Sequence, residues 1–139
     1  MKLILLRYLL MIDAAVLFLL GALLICAPGK IEIAFHFSGL PAAVSYLIGL
    51  WGCVFVTLSG GYVIAATDPL RHVAWIQIAI ARGVLECVLG LFYVAHGIIT
   101  WQQGAFGIVA AAFISVAYLL LYPRRDSLGH YPAGRAEAA

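Results

Sequence analysis

Three ionisable residues stand where such residues are rare. In the 139-residue sequence, Asp13, Arg82 and Glu86 each sit inside a long apolar stretch. If those stretches cross a bilayer, a charge at a helix centre costs about 2.5–3.5 kcal/mol and needs a partner or a purpose. The chemistry these types could perform narrows to two kinds. Arginine offers five N–H donors in a fork, so Arg82 flanked by Asp13 and Glu86 can form an ion-pair lock that fixes helix register. The same groups can instead form a polar pocket that binds a ligand head group or relays protons. The lock is the simpler reading, and charge counting argues for the pocket. Asp13, Arg82 and Glu86 sum to minus one if all ionise, so either Glu86 is protonated or another cation or a ligand completes the site.

Spacing adds two residues to the candidate set. At about 100° per helical residue, Trp75, Arg82, Glu86, Tyr93 and His96 fall within about ±40° of one direction. The buried polar cluster read from the sequence is therefore Asp13, Arg82, Glu86, Tyr93 and His96. Gly83, Gly90 and Gly97 recur every seven residues beside that face, a spacing that lets a neighbouring backbone approach closely. This predicts that the third long helix is the central one, with its polar face inward. Asp13 lies roughly 16 Å along the axis from Lys2, and Arg82 roughly 15 Å from His72, so the two match in depth near the middle of a hydrocarbon core of about 30 Å. Ser59 and Ser115 could reach adjacent levels. Ser45, Gly49, Gly52 and Gly60 form a stripe on the second helix; Gly104, Ala111, Ser115, Tyr118 and Tyr122 form one on the fourth.

The elements that must position these residues follow from composition. Hydrophobic residues make up 65% of the chain, charged residues 10%, and the mean hydropathy is +1.10. Soluble domains run at roughly 45–50% apolar and 25% charged, and a globule of this size could not bury such a surface. Disorder is excluded by the same figures. A net charge of +2 supplies no phosphate-binding surface, so nucleic acid is not an expected partner. Four stretches are long enough to span: residues 3–26, 44–66, 73–99 and 104–121. Their short connections predict an all-α integral membrane protein, an antiparallel four-helix bundle within residues 1–124. Residues 125–139 read as a disordered cytoplasmic tail.

Lys2, Arg7, Arg71, Arg124, Arg125 and Arg135 fall on one side of this topology and only Lys30 on the other. The positive-inside rule then makes both termini cytoplasmic. Arg7 and Asp13 interrupt the first apolar stretch and no small-x-small site follows, so it reads as an uncleaved helix. Trp75 and Trp101 read as interfacial belt residues bracketing the third helix, with Trp51 a deeper packing residue. Cys26, Cys53 and Cys87 read as small buried residues rather than a disulfide or metal framework. His96 and His36, with Glu32, lie toward the outer face, but no His-x-x-x-His, Cys-x-x-Cys or Glu-x-x-His spacing accompanies them, so no metal site is assigned. The sequence holds no phosphate-binding glycine loop and no Ser–His–Asp constellation.

At Trp51-Gly52 through Gly61-Tyr62, and then Ala65-Ala66-Thr67-Asp68-Pro69-Leu70-Arg71-His72, about half of the chain resembles small bacterial four-helix membrane proteins of the BphX-like or DoxX-like kind. The shared pattern is a glycine-rich second span followed by a D-P-x-R-H turn. DoxX-like proteins include subunits of quinone-linked sulfur oxidation, and BphX-like ones accompany aromatic-degradation clusters. The resemblance implies a multi-pass bundle in a bacterial inner membrane and maps no catalytic residue onto this chain. Three functions stay open. One is a non-catalytic accessory or structural subunit, with a membrane-protein partner or as a homo-oligomer. Another is a redox component holding quinone or haem near Arg82, Glu86, Tyr93 and His96. The third is a small proton-coupled carrier acting as an oligomer.

Overall fold

The computed structural model describes residues 2–34 and 41–123, with no strand among them. His36 and the tail 125–139 lie outside the described residues. Five helices follow in order: α1 (Lys2–Cys26), α2 (Pro28–Ala34), α3 (Ala42–Thr67), α4 (Val73–Ala95) and α5 (Trp101–Leu121). All but α2 are long and apolar enough to cross a membrane, with mean hydropathy between 1.8 and 2.7 in their most apolar windows. The protein is an all-α four-helix bundle whose outer surface is apolar. Phe106, Phe113 and Leu120 are each more than 70% exposed, an arrangement that lipid solvates and water does not. The short helix α2 lies in the connection between the first two spanning helices. It starts at Pro28, whose missing N–H and fixed φ suit a first helical position.

The chain builds two antiparallel hairpins, α1 with α3 and α4 with α5, and contact within each hairpin far exceeds contact between them. Apolar side chains gain nothing by leaving lipid for one another, so close backbone approach must hold such pairs. In the first hairpin Gly21 and Gly52 face each other reciprocally. A Cβ on Gly52 would lie 2.7 Å from the Gly21 carbonyl oxygen, and one on Gly21 would lie 2.8 Å from that of Gly52. In the second hairpin Gly83 meets Ser115 and the Ala111 carbonyl, Gly90 meets Ile108, and Gln77 Nε2 donates to the Tyr122 hydroxyl at 2.9 Å. These contacts fix antiparallel registers on each side. The hairpins join in the half holding the start of α1 and the end of α5. There Leu6 and Leu10, Tyr62 and Ala65, Ile76 and Ala79, and Tyr118 form a common core.

Several details differ from the sequence reading. The third span stops at Ala95 instead of near residue 99. Gly97 adopts φ +66°, its N–H donates to Val94 O, and the Ile98 N–H donates to Tyr93 O, each at 3.0 Å. That is a Schellman termination, which glycine enables. Gly97 is thus a helix stop, and a Cβ there would meet nothing within 4 Å. Only Gly83 and Gly90 of the heptad series lie against α5. The fourth span starts three residues earlier than expected because Thr100 and Gln103 form a capping box, with the Thr100 N–H donating to Gln103 Oε1 at 2.8 Å.

Nor is α4 central. Only 11% of its most apolar window is buried, against 28% for α1. A polar stripe marks which way a helix faces and says nothing of how many neighbours cover it. Of the tryptophans, Trp51, expected to be a deeper packing residue, meets the Phe55 ring edge-on at 6.3 Å and Trp75 has a packing role of its own. Trp51 is exposed, while Trp75 fills the space beside Gly61 and meets the Tyr62 ring edge-on at 6.2 Å. Cys26 and Cys53 are exposed rather than buried.

Candidate functional site

One carboxylate ties three helices together. Asp13, on the buried face of α1, is only 3% exposed. Its Oδ1 accepts from Arg82 Nη2 of α4 at 3.2 Å, with Oδ2 at 3.4 Å from the same nitrogen. Its Oδ2 also accepts from the Tyr118 hydroxyl of α5 at 3.1 Å. The fourth helix enters through Tyr62 of α3, whose ring centroid lies 5.6 Å from the guanidinium carbon of Arg82. A cation over an aromatic face at that distance is attracted by the ring quadrupole. All four spanning helices therefore converge on one ionic group, at the level where the two hairpins meet.

Glu86 occupies a different position. It lies one turn beyond Arg82 on α4, with Oε1 3.6 Å from Arg82 Nε. Its side chain is 45% exposed where that of Asp13 is 2% exposed. Arg82 thus carries one tight, enclosed partner and one loose, open partner. Among the described residues, Tyr62 Oη, Arg82 Nε and Arg82 Nη1 have no hydrogen-bond partner.

The sequence-derived set divides accordingly. Asp13, Arg82 and Glu86 come together. Tyr93 lies further along α4 and lines a cleft that Glu86 also lines. His96 does not join them. It stands at the C-terminal cap of α4, exposed, with Nδ1 2.9 Å from the carbonyl oxygen of Phe92 and its ring centroid 4.1 Å from that of Phe92, the two planes tilted by 34°. Ser115 turns to its own helix, donating to Ala111 O at 2.8 Å, and lies against Gly83. Two residues of the cluster were missing from the set. Tyr118 stood in the small and polar stripe of the fourth helix, so its face was readable and its partner was not. Tyr62 carried only a general signal: a tyrosine in an apolar span brings a hydroxyl that must be placed.

The cleft opens between the hairpins on the side away from the common core. Leu20 of α1, Phe55 of α3, Glu86 and Tyr93 of α4, and Gln103 and Ile108 of α5 are among the residues lining its volume of about 390 Å³. That is within the range of roughly 300–1,000 Å³ typical of small-molecule sites. Among the described residues, no group of three or more His, Cys, Asp or Glu side chains could hold a metal ion. The arrangement offers charge pairing, aromatic surface and one accessible carboxylate.

No family model matches the chain, and no curated protein and no solved structure matches it.

Proposed function

We propose that this chain is a non-catalytic accessory or structural subunit of a bacterial inner membrane, with both termini cytoplasmic. One observation carries the reading. Asp13, the most buried ionic group among the described residues, is occupied by Arg82 and Tyr118 from the opposite hairpin, so it works as a clasp between hairpins rather than as a free acid or base. The excess of Lys and Arg on one side of the bundle supports the orientation. The resemblance to BphX-like and DoxX-like proteins supports the compartment. A subunit has a partner, either another membrane protein or a second copy. The test is native mass spectrometry of the protein released gently from its own membranes. The expected result is a complex heavier than the 14.9 kDa chain; a chain released wholly as a monomer overturns the reading.

A second reading, a small carrier acting as an oligomer, is favoured by the cleft and the accessible Glu86 in it. A redox component holding haem would instead show a Soret band in the purified protein; a colourless preparation removes the haem version.

A further inference from the structure

The charges of the cluster do not balance, since Asp13 and Glu86 face the single cation Arg82, and the imbalance has a location. Arg82 is committed to Asp13, which it meets at 3.2 Å in an enclosed environment. Glu86 shares the same guanidinium only at 3.6 Å and is 45% exposed. With all three groups ionised, the surplus negative charge resides on Glu86. An unbalanced carboxylate in the interior of a bilayer is costly and favours any cation that can reach it.

The cleft supplies the route. Glu86 lines it, and Arg82 does not. An entering molecule meets the carboxylate and not the guanidinium, which selects against anions. The remaining walls are mostly apolar, with Leu20, Leu89 and Ile108 beside the rings of Phe55 and Tyr93. Such walls cannot replace the hydration shell of a metal ion, which needs several oxygen, nitrogen or sulfur ligands. They suit a cation that carries its own apolar groups, and aromatic rings attract such cations through their π faces.

We propose that the cleft between the hairpins is a binding site for a lipophilic organic cation, with Glu86 as its counter-charge and Phe55 and Tyr93 as its aromatic walls. The inference does not require the subunit reading to hold. Both use the Asp13–Arg82 pair, but this one needs the cleft and Glu86 and makes no use of a partner subunit.

The probe is tetraphenylphosphonium, measured by equilibrium dialysis against purified protein in detergent, with empty micelles subtracted. Tetraphenylborate, similar in shape and opposite in charge, is the control. The expected result is saturable binding of the cation, with no saturable binding of the anion. Glu86→Gln, nearly isosteric and neutral, should weaken binding at least about tenfold, equivalent to about 1.4 kcal/mol. Glu86→Asp should restore most of it. Gly107 lines the cleft, and a Cβ there would meet nothing within 4 Å. Gly107→Leu should therefore fill the cleft without disturbing the helices, and it should abolish binding although Glu86 is intact. That variant decides the matter if Glu86→Gln does not fold. Absence of saturable cation binding by the wild-type protein overturns the proposal. So does equal binding of the borate, or binding by a folded Gly107→Leu or Glu86→Gln variant that matches the wild type.

Discussion

Substituting alanine at glycines of a single helix should give effects of opposite sign, because the structure gives those glycines different surroundings. In α3 a Cβ on Gly52 would lie 2.7 Å from the Gly21 carbonyl oxygen, 2.7 Å from Ile25 Cγ1 and 3.1 Å from Leu24 Cβ. Ordinary contact begins near 3.4 Å, so α1 and α3 would have to separate by roughly 0.7 Å at their crossing. Two of the three obstructing atoms are backbone or Cβ and cannot swing aside. A gap of about 0.5–1 Å forfeits a quarter to a half of each dispersion contact along the seam. Overpacking of this kind costs about 1–3 kcal/mol. Gly49 and Gly60 lie in the same helix, and a Cβ on either would meet nothing within 4 Å. There alanine gains helix propensity, worth up to about 1 kcal/mol in water, and the change should be neutral or stabilising. The assay is reversible unfolding by sodium dodecyl sulfate in mixed micelles, followed by circular dichroism. Gly52→Ala should lower stability by about 1–3 kcal/mol, while Gly49→Ala and Gly60→Ala should not. Equal losses at Gly49 and Gly52 would refute the reasoning, since intrinsic propensity cannot separate the two sites and only the helix crossing can.

The same assay tests the second hairpin: Gly90→Leu should be more damaging than Leu91→Ala, since a Cβ on Gly90 would lie 2.5 Å from Ile108 Cγ1 whereas Leu91 is 48% exposed. Tyr118→Phe removes the hydroxyl that reaches Asp13 at 3.1 Å and should cost about 1–3 kcal/mol in the wild-type background. In an Asp13→Ala background it should cost nearly nothing, and an equal cost in both would deny the bond. For orientation, a reporter active only in the cytoplasm should be active when fused after Arg125 and silent when fused at Lys30; the reverse pattern would invert the topology.

What the sequence makes legible here is mostly what the bilayer enforces. Spans of about 20 apolar residues, short connections and matched depths are one-dimensional properties, so the four helices and the approach of Arg82 to Asp13 can be read along the chain. Pairwise geometry is harder. Gly21 is a lone glycine in a leucine-rich helix, and nothing in its own neighbourhood points to Gly52; the contact exists only once the hairpin register is set. Gly97 shows the converse problem. It continues a seven-residue series, yet its φ of +66° makes it a helix stop, and spacing alone cannot distinguish a packing glycine from a capping one. His96 shares the helical face of Arg82 and Glu86 in projection, but a helical wheel discards height, and its height puts it at the cap. Tyr62 and Tyr118 join the cluster through contacts between helices distant in the chain. The cleft, too, depends on the hairpins meeting at one end and leaving room at the other, which no single helix encodes.

The central claim is that Asp13 and Arg82 clasp the two hairpins, and a double-mutant cycle on that pair tests it most directly. Asp13→Ala leaves Arg82 with Glu86 as its remaining partner, whereas Arg82→Ala strands two carboxylates, one of them only 3% exposed. Arg82→Ala should therefore cost more, about 3–5 kcal/mol, the range for breaking a buried pair from one side. In the double variant no stranded charge remains at Asp13, and Glu86 stays accessible to the cleft. The combined loss in the unfolding assay should fall short of the sum of the single losses by about 1–3 kcal/mol, the coupling expected of groups in contact. Losses that add to within about 0.3–0.5 kcal/mol, as for independent sites, would contradict the clasp.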